Sequence, residues 1–176
     1  MKIGLTGTMS VGKTTLVKAL QELPEFKDYN FATERSKYLN DLGIPLNTDS
    51  TLKGQTVFLA ERCAELMNDK IITDRTIFDV IAFTQNAKSI ARQDKDIFED
   101  YAKEFLREYD YIFYISPDGL PIEDNGVRET DEYYRDIIDF SITTLIKKYS
   151  YMVDNIITIK GSTGERIEQI LNVIKS

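Results

Sequence analysis

One stretch near the start of the chain restricts the fold more than any other: Gly7-Thr8-Met9-Ser10-Val11-Gly12-Lys13-Thr14. It fits the spacing G-x-x-x-x-G-K-[ST] of a phosphate-binding loop, or P-loop. Residues 2–6 before it have the pattern of a short buried strand, and residues 15–20 after it have that of a helix. The sequence therefore predicts a loop between a strand and a helix N-terminus, where backbone N–H groups and the helix dipole attract phosphate oxygens.

This stretch supplies the predicted donor-binding residues. They are Gly7, Thr8, Ser10, Val11, Gly12, Lys13, Thr14 and Thr15. Lys13 can reach the outer phosphates of ATP, and the Thr14 hydroxyl can hold Mg²⁺. The alternative is a chance match in a loop rich in small residues, but the strand and the helix stand where the mechanism needs them. ATP and Mg²⁺ are therefore the expected cofactors.

The charge balance argues against several kinds of partner. The 176 residues include 22 basic and 29 acidic ones, so the net charge is 22 − 29 = −7. We therefore expect no nucleic acid and no membrane surface as a partner. The chain has no run of 18 apolar residues, and its first residues enter a strand instead of a signal peptide, which predicts a cytoplasmic protein.

The chain contains no histidine. Proton transfer near neutral pH would then depend on carboxylates, lysine or tyrosine. Phosphoryl transfer tolerates this restriction because positioning and charge stabilisation supply most of its catalysis.

Apolar strands and amphipathic helices alternate along the chain. The strands are predicted at residues 2–6, 29–33, 70–74, 111–115 and 156–159, and the main helices at 15–20, 37–42, 51–68, 76–88, 95–108, 131–149 and after Ser162. Such alternation predicts an α/β fold, a three-layer sandwich with a five-stranded parallel sheet, in a single domain over 1–176. The loop 116–130 is long and rich in Pro and Gly, which is typical of a lid.

Asp74 follows the third strand, and a carboxylate at that edge of the sheet can bind Mg²⁺ beside Thr14. The alternative role is a helix N-cap, and the two roles can coexist. The next residue is Arg75, where ATP-hydrolysing motors usually carry a second acid. An arginine can bind an acceptor or a phosphate, which favours transfer to a bound acceptor over hydrolysis.

Glu34, after the second strand, is the candidate general base for the attacking hydroxyl of an acceptor. It could instead orient a sugar, or form an exposed ion pair. Arg35 beside it is a weaker candidate, as are Gln55, Tyr38 and Phe83 for an acceptor pocket.

Arg128 lies in the predicted lid after Gly126, which allows the loop to turn sharply. A lid arginine can close over the phosphates and stabilise charge in the transition state, although it could also be an ordinary solvated side chain. Arg135 in the next helix is a weaker candidate for the same task.

Together these motifs resemble the P-loop kinase family typified by the ribosylnicotinamide kinase domain of bacterial NAD-biosynthesis regulators, the NadR-like AAA domains. The resemblance covers the P-loop at 7–14, Glu34-Arg35, residues 70–74 and 109–115, and the lid pattern Asp124-Asn125-Gly126-Val127-Arg128. It implies a P-loop NTPase fold of the nucleoside and nucleotide kinase type with strand order 2-3-1-4-5. Asp74-Arg75-Thr76 is more similar to the Asp/Glu-Arg-Ser element of deoxynucleoside and thymidylate kinases.

The resulting hypothesis is ATP- and Mg²⁺-dependent transfer to a small nucleoside or nucleoside monophosphate. The catalytic residues would be Lys13, Glu34, Arg75 and Arg128, with Thr14 and Asp74 on the metal. The alternatives are a ribosylnicotinamide acceptor, a regulatory module that binds ATP without transfer, and, less favoured, a polynucleotide end. The oligomeric state stays open, with a homodimer as one alternative.

Overall fold

Five parallel strands form one sheet in the order β2-β3-β1-β4-β5. The strands are β1 (Lys2–Thr6), β2 (Asn30–Ala32), β3 (Ile71–Asp74), β4 (Tyr111–Ile115) and β5 (Asn155–Ile159). The register aligns Leu5 of β1 with Asp74 of β3 and Thr6 with Tyr114 of β4. Because all strands run in one direction, their carboxyl ends meet at one edge, directly before the P-loop and beside Asp74.

The structure, a computed structural model, describes residues 1–33, 35–117 and 132–175. The candidate base Glu34 and the candidate lid arginine Arg128 lie outside the described residues. Of the predicted lid 116–130, only Ser116 and Pro117 are described. The proposed roles of Glu34, Arg128 and the lid therefore stay predictions.

Seven α-helices in the described ranges flank the sheet. They are α1 (Lys13–Gln21), α2 (Ser36–Asp41), α3 (Leu52–Glu65), α4 (Ile77–Asn86), α5 (Arg92–Ala102), α6 (Glu132–Tyr149) and α7 (Thr163–Ile174). Short 3-10 turns occur at Pro24–Phe26, Asn47–Asp49, Lys103–Glu108 and Ser150–Met152. None of the described helices is long and apolar enough to cross a membrane.

Each face of the sheet carries its own apolar core, because successive side chains of a strand point to opposite faces. On β4, Ile112 belongs to the core that α4 and α6 cover, whereas Phe113 belongs to the core that α1 and α7 cover. Both side chains are fully buried. This arrangement confirms the predicted three-layer sandwich and the strand order that the family resemblance implied.

Two helix predictions differ from the structure. The stripe expected on α3 at Val57, Ala60, Ala64 and Met67 is wrong, since Met67 is 83% exposed. The buried residues of α3 are Gly54, Gln55, Leu59 and Arg62. The helix turns polar Gln55 and Arg62 inward, and Arg62 has hydrogen-bond partners there, which apolar periodicity does not reveal. The helix expected at 95–108 instead starts at Arg92 and tightens into a 3-10 turn from Lys103.

Gly4 in the middle of β1 lets α4 approach the sheet closely. A Cβ atom at this position would lie 2.5 Å from Cγ2 of Thr76 and 2.8 Å from Cε1 of Tyr109. Thr76 is the N-cap of α4 and forms a capping box with Asp79. The first turn of α4 therefore rests directly on the strand that leads into the P-loop.

Candidate active site

The P-loop has the backbone that its two glycines allow. Gly7 has φ 146° and Gly12, the N-cap of α1, has φ 82°. A Cβ at Gly7 would lie only 2.7 Å from the carbonyl oxygen of Ile115, so a side chain there meets both strain and a backbone clash. The loop is thereby held against the end of β4.

Lys13 points into this loop and is 6% exposed. Its ammonium group donates hydrogen bonds to the carbonyl oxygens of Gly7, at 2.6 Å, and Thr8, at 2.7 Å. A buried cation therefore lies within the backbone that is predicted to hold phosphate. That is the position from which an ammonium group can neutralise phosphate charge.

The Thr14 hydroxyl donates a hydrogen bond to Oδ2 of Asp74. Asp74 is 1% exposed, and its other oxygen, Oδ1, is buried without a hydrogen-bond partner. An unpaired buried carboxylate oxygen beside a hydroxyl fits a divalent cation that completes its shell with phosphate and water. Among the described residues, no group of three or more acidic, Cys or His side chains is arranged to hold a metal ion, so a Mg²⁺ ion here would depend on the nucleotide for ligands.

The alternative assignment of Asp74 as a helix N-cap is wrong, because Thr76 caps α4. The side chain of Asp74 thus faces Thr14 and serves no helix end. The buried guanidinium of Arg62 donates a hydrogen bond to the carbonyl oxygen of Asp74 at 3.0 Å, which stabilises the backbone at this position. Arg62 also pairs with Glu65, whose burial raises its pKa to about 7 even though Arg62 acts in the opposite direction.

A pocket that is open to solvent adjoins Asp74 through the next residue, Arg75. It is lined by polar, aromatic and aliphatic side chains from α2, α3, α4, the segment between α2 and α3, and the turn after β3. The lining residues are Ser36, Leu46, Asn47, Ser50, Gln55, Phe58, Arg75, Asp79, Val80 and Phe83. This mixture of apolar and hydrogen-bonding groups is typical of small-molecule sites.

Arg75 holds a backbone conformation that is rare for a residue with a side chain, with φ 92°. Its N–H donates to the carbonyl oxygen of Leu5 at 3.0 Å. The guanidinium lies 5.0 Å from the ring centre of Phe83, and its Nη1 lies 3.8 Å from Oδ1 of Asp79. The turn after β3 thus directs a cation into the pocket, flanked by an aromatic ring and a carboxylate.

Asp79 connects the pocket with the P-loop. This fully buried carboxylate accepts hydrogen bonds from the hydroxyl of Thr6, at 2.8 Å, and from the backbone N–H of Thr76, also at 2.8 Å. Thr6 is the residue directly before Gly7. Sequence reasoning missed Asp79, although the capping-box spacing Thr76-x-x-Asp79 was a signal that could have found it.

Two residues far along the chain brace the P-loop. The guanidinium of Arg166 on α7 donates to the carbonyl oxygen of Val11 at 2.7 Å. The hydroxyl of Thr8 donates to the carbonyl oxygen of Arg135 on α6 at 3.0 Å. No pattern in the sequence marked Arg166, which looks like one more charged residue on an amphipathic helix.

The structure places the weaker candidates as follows. Gln55 and Phe83 line the pocket and are 3% and 9% exposed. Tyr38, which is 50% exposed, is not among the lining residues and stacks under the guanidinium of Arg35. Arg35 pairs with Glu61 at 3.2 Å. Arg135 is buried and donates to the carbonyl oxygen of Pro117 at 2.9 Å.

The sequence model of one protein family, described as an AAA domain, matches residues 2–166. The chain belongs to this AAA domain family. No curated protein sequence gives a significant match.

Two proteins of known structure share this fold. Deoxyadenosine kinase from M. mycoides with bound dCTP superimposes with a TM-score of 0.70 at 20% identity, over 99% of both chains. The NadR protein in complex with NR gives a TM-score of 0.70 at 15% identity, over 89% of this chain and 45% of that one. These matches confirm the P-loop kinase fold and the resemblance read from the sequence.

Proposed function

We propose that this protein transfers the terminal phosphoryl group of ATP to the hydroxyl of a small nucleoside, with Mg²⁺ as the metal. The observation that carries the proposal is that donor and acceptor sites meet at consecutive residues. Asp74 faces Thr14 of the P-loop, and Arg75 faces the pocket. Phosphoryl transfer needs this juxtaposition of a phosphate cradle and a shaped acceptor site.

On the donor side, the P-loop amides and Lys13 bind the phosphates of ATP. Mg²⁺ is held by Thr14 and Asp74, and it supplies charge neutralisation to the phosphate oxygens. We propose the loop residues Gly7, Thr8, Ser10, Val11, Gly12 and Thr15 for the rest of the donor site.

On the acceptor side, Arg75 contacts the group that is transferred and stabilises its developing charge. We retain Glu34 as the proposed base, or as the group that orients the acceptor, and Arg128 as the proposed lid cation. Both proposals rest on the sequence pattern and the family resemblance.

The charges that line the pocket favour a nucleoside over a nucleoside monophosphate. Among its described lining residues, Arg75 is the one cation and the buried Asp79 is the one carboxylate. An acceptor that is already a phosphate ester would need more positive charge than this pair supplies. Gln55 and Phe83 instead suit a flat ring with hydrogen-bonding groups, by amide contacts and by ring stacking.

Because of Asp79, ribosylnicotinamide is the second candidate for the acceptor. A carboxylate at the pocket wall can accept a hydrogen bond from an amino group, and it can equally balance a positively charged ring. NadR, whose structure was solved with NR, shares the fold. Both acceptors therefore belong in the same assay.

The test is a panel assay with purified protein, Mg-ATP, common nucleosides, their monophosphates and ribosylnicotinamide. ADP release and the phosphorylated product are measured together, and the background is set by Lys13→Ala. We expect one nucleoside-class compound to give stoichiometric ADP and product. If no acceptor raises ADP release above the Lys13→Ala background, the kinase proposal fails and the alternative of a non-transferring ATP-binding module gains support. Preference for a monophosphate would contradict the acceptor assignment alone.

A further inference from the structure

Arg166 of α7 lies against the P-loop although 155 residues separate it from Val11. Its side chain is 5% exposed, and Nη1 donates to the Val11 carbonyl oxygen at 2.7 Å. The same nitrogen would lie 3.3 Å from a Cβ atom at Gly12. A guanidinium cation therefore touches the backbone of the two loop residues that directly precede Lys13.

No described acidic side chain forms an ion pair with Arg166, and its Nε is buried without a hydrogen-bond partner. The buried Arg62 differs, since it pairs with Glu65, and the half-buried Arg75 lies beside Asp79. Burial lowers the pKa of Arg166, as expected when a charge is removed from water without compensation. A buried charge without an acidic partner among the described residues is unfavourable, and its position beside the predicted anion-binding loop suits an anionic ligand.

We propose that Arg166 is a positioning residue of the donor site, which fixes the P-loop backbone at Val11 and supplies positive charge that the phosphates of the donor nucleotide compensate. The proposal rests on the proposed function only in taking a nucleoside triphosphate as the donor. Because the guanidinium contacts the loop and not a pocket for the base, its influence should grow with the number of phosphates on the ligand.

Binding and activity of four proteins test this assignment: the unaltered chain, Arg166→Gln, Arg166→Lys and the control Arg107→Met. Glutamine keeps a hydrogen-bond donor but no charge, whereas lysine keeps the charge. Arg107 is an exposed arginine that pairs with Glu104 at 3.6 Å, away from the loop. Calorimetry measures the Kd of ATP, ADP and AMP, kinetics measure KM for ATP and kcat, and the melting temperature is recorded without nucleotide.

In Arg166→Gln we expect ATP affinity to fall about 10-fold, the scale of one charge-assisted interaction. ADP should lose less and AMP least, KM for ATP should rise more than kcat falls, and the melting temperature without nucleotide should not drop. Arg166→Lys should recover part of the ATP affinity, and Arg107→Met should match the unaltered chain.

Equal losses for ATP, ADP and AMP would overturn the proposal, because that pattern indicates a contact with the base or sugar. Unchanged ATP affinity in Arg166→Gln, with a lower melting temperature, would also overturn it and leave a purely structural contact between α7 and the loop. A different result, in which the unaltered chain binds no nucleotide at all, would refute the proposed function instead.

Discussion

The proposed donor and acceptor halves of the site are built in different ways. Eight consecutive residues, 7–14, form the donor loop, and buried side chains such as Arg166 and Asp74 hold it from outside. The acceptor pocket has no contiguous motif and collects residues from α2, α3, α4 and the connection between α2 and α3. A donor half defined by local sequence suits a ligand that is common to many enzymes, whereas a dispersed acceptor half can change its ligand one residue at a time.

The two halves are nevertheless mechanically joined. Asp74 and Arg75 are adjacent in the chain, and Asp79 ties the wall of the pocket to Thr6 at the base of the loop. Substitutions in the donor half should therefore impair every acceptor equally, while substitutions in the pocket should change which acceptor is used.

The largest effect is expected for Lys13→Ala. Loss of the cation inside the loop should lower kcat by about 100- to 1000-fold for every acceptor, the scale of one lost charge-stabilising group. Steady-state kinetics with two different acceptors measure the effect. Lys18→Ala is the matched control, because Lys18 is an exposed residue of the same helix. If the loss of kcat in Lys13→Ala differed between the two acceptors, the donor and acceptor halves would not act independently.

A smaller effect is expected for Asp74→Asn. Removal of the charge should lower activity about 100-fold at limiting Mg²⁺, on the scale of one lost electrostatic group. Excess Mg²⁺ should restore part of it, because the hydroxyl of Thr14 and the nucleotide phosphates remain. A Mg²⁺ titration of kcat measures this, with the exposed Asp69→Asn as the control. An unchanged Mg²⁺ requirement would remove Asp74 from the metal site.

Arg75→Met should act on the acceptor half. We expect kcat/KM for the acceptor to fall about 10-fold, as for one charge-assisted hydrogen bond, with the Kd of ATP nearly unchanged. Arg92→Met, an exposed arginine paired with Asp96 on α5, is the control. If Arg75→Met bound ATP more weakly without an acceptor present, Arg75 would belong to the donor half instead of the acceptor half.

The smallest effect concerns stability, through Glu65 behind Asp74. Burial raises the pKa of the Glu65 carboxyl from 4.5 to about 7. Between these two pH values the folded state keeps the proton, whereas the unfolded state has released it. Stability from this group is complete below pH 4.5 and is lost as pH rises towards 7, by about 2 kcal/mol. Urea unfolding at pH 5 and pH 8 should show this fall in the unaltered chain and a smaller one in Glu65→Gln.

The control for that measurement is Glu104→Gln, since Glu104 is an exposed partner of Arg107. It should show the same fall as the unaltered chain. If Glu65→Gln retained the full fall, another group would be responsible for it.

The fold was largely predictable from the sequence because its determinants are local. The P-loop spacing, the apolar strands such as 111–115 and the helix after Ser162 each depend on near neighbours in the chain, and the structure shows each one. The pairing of Thr14 with Asp74 was also within reach, because parallel strands end at one edge.

The rest of the site depends on contacts that no local pattern reports. Arg62 and Arg166 are buried cations on amphipathic helices, and their spacing does not distinguish them from surface residues. The orientation of α3, which brings Gln55 inward and leaves Met67 exposed, agrees with the interior contacts of Arg62 and not with apolar periodicity. Arg75 was found from its place in the chain, but its left-handed backbone was not.

Gly4 also affects the geometry of the proposed site. The absence of a side chain there sets how near the first turn of α4 comes to β1, and that turn carries Thr76 and Asp79, whereas β1 leads into Gly7. In the proposed site, the separation between the two substrates would thus depend on a residue that touches neither of them. Since a misplacement of about 1 Å can slow a transfer reaction about 100-fold, one added methyl group at this strand would act as a change in reaction distance.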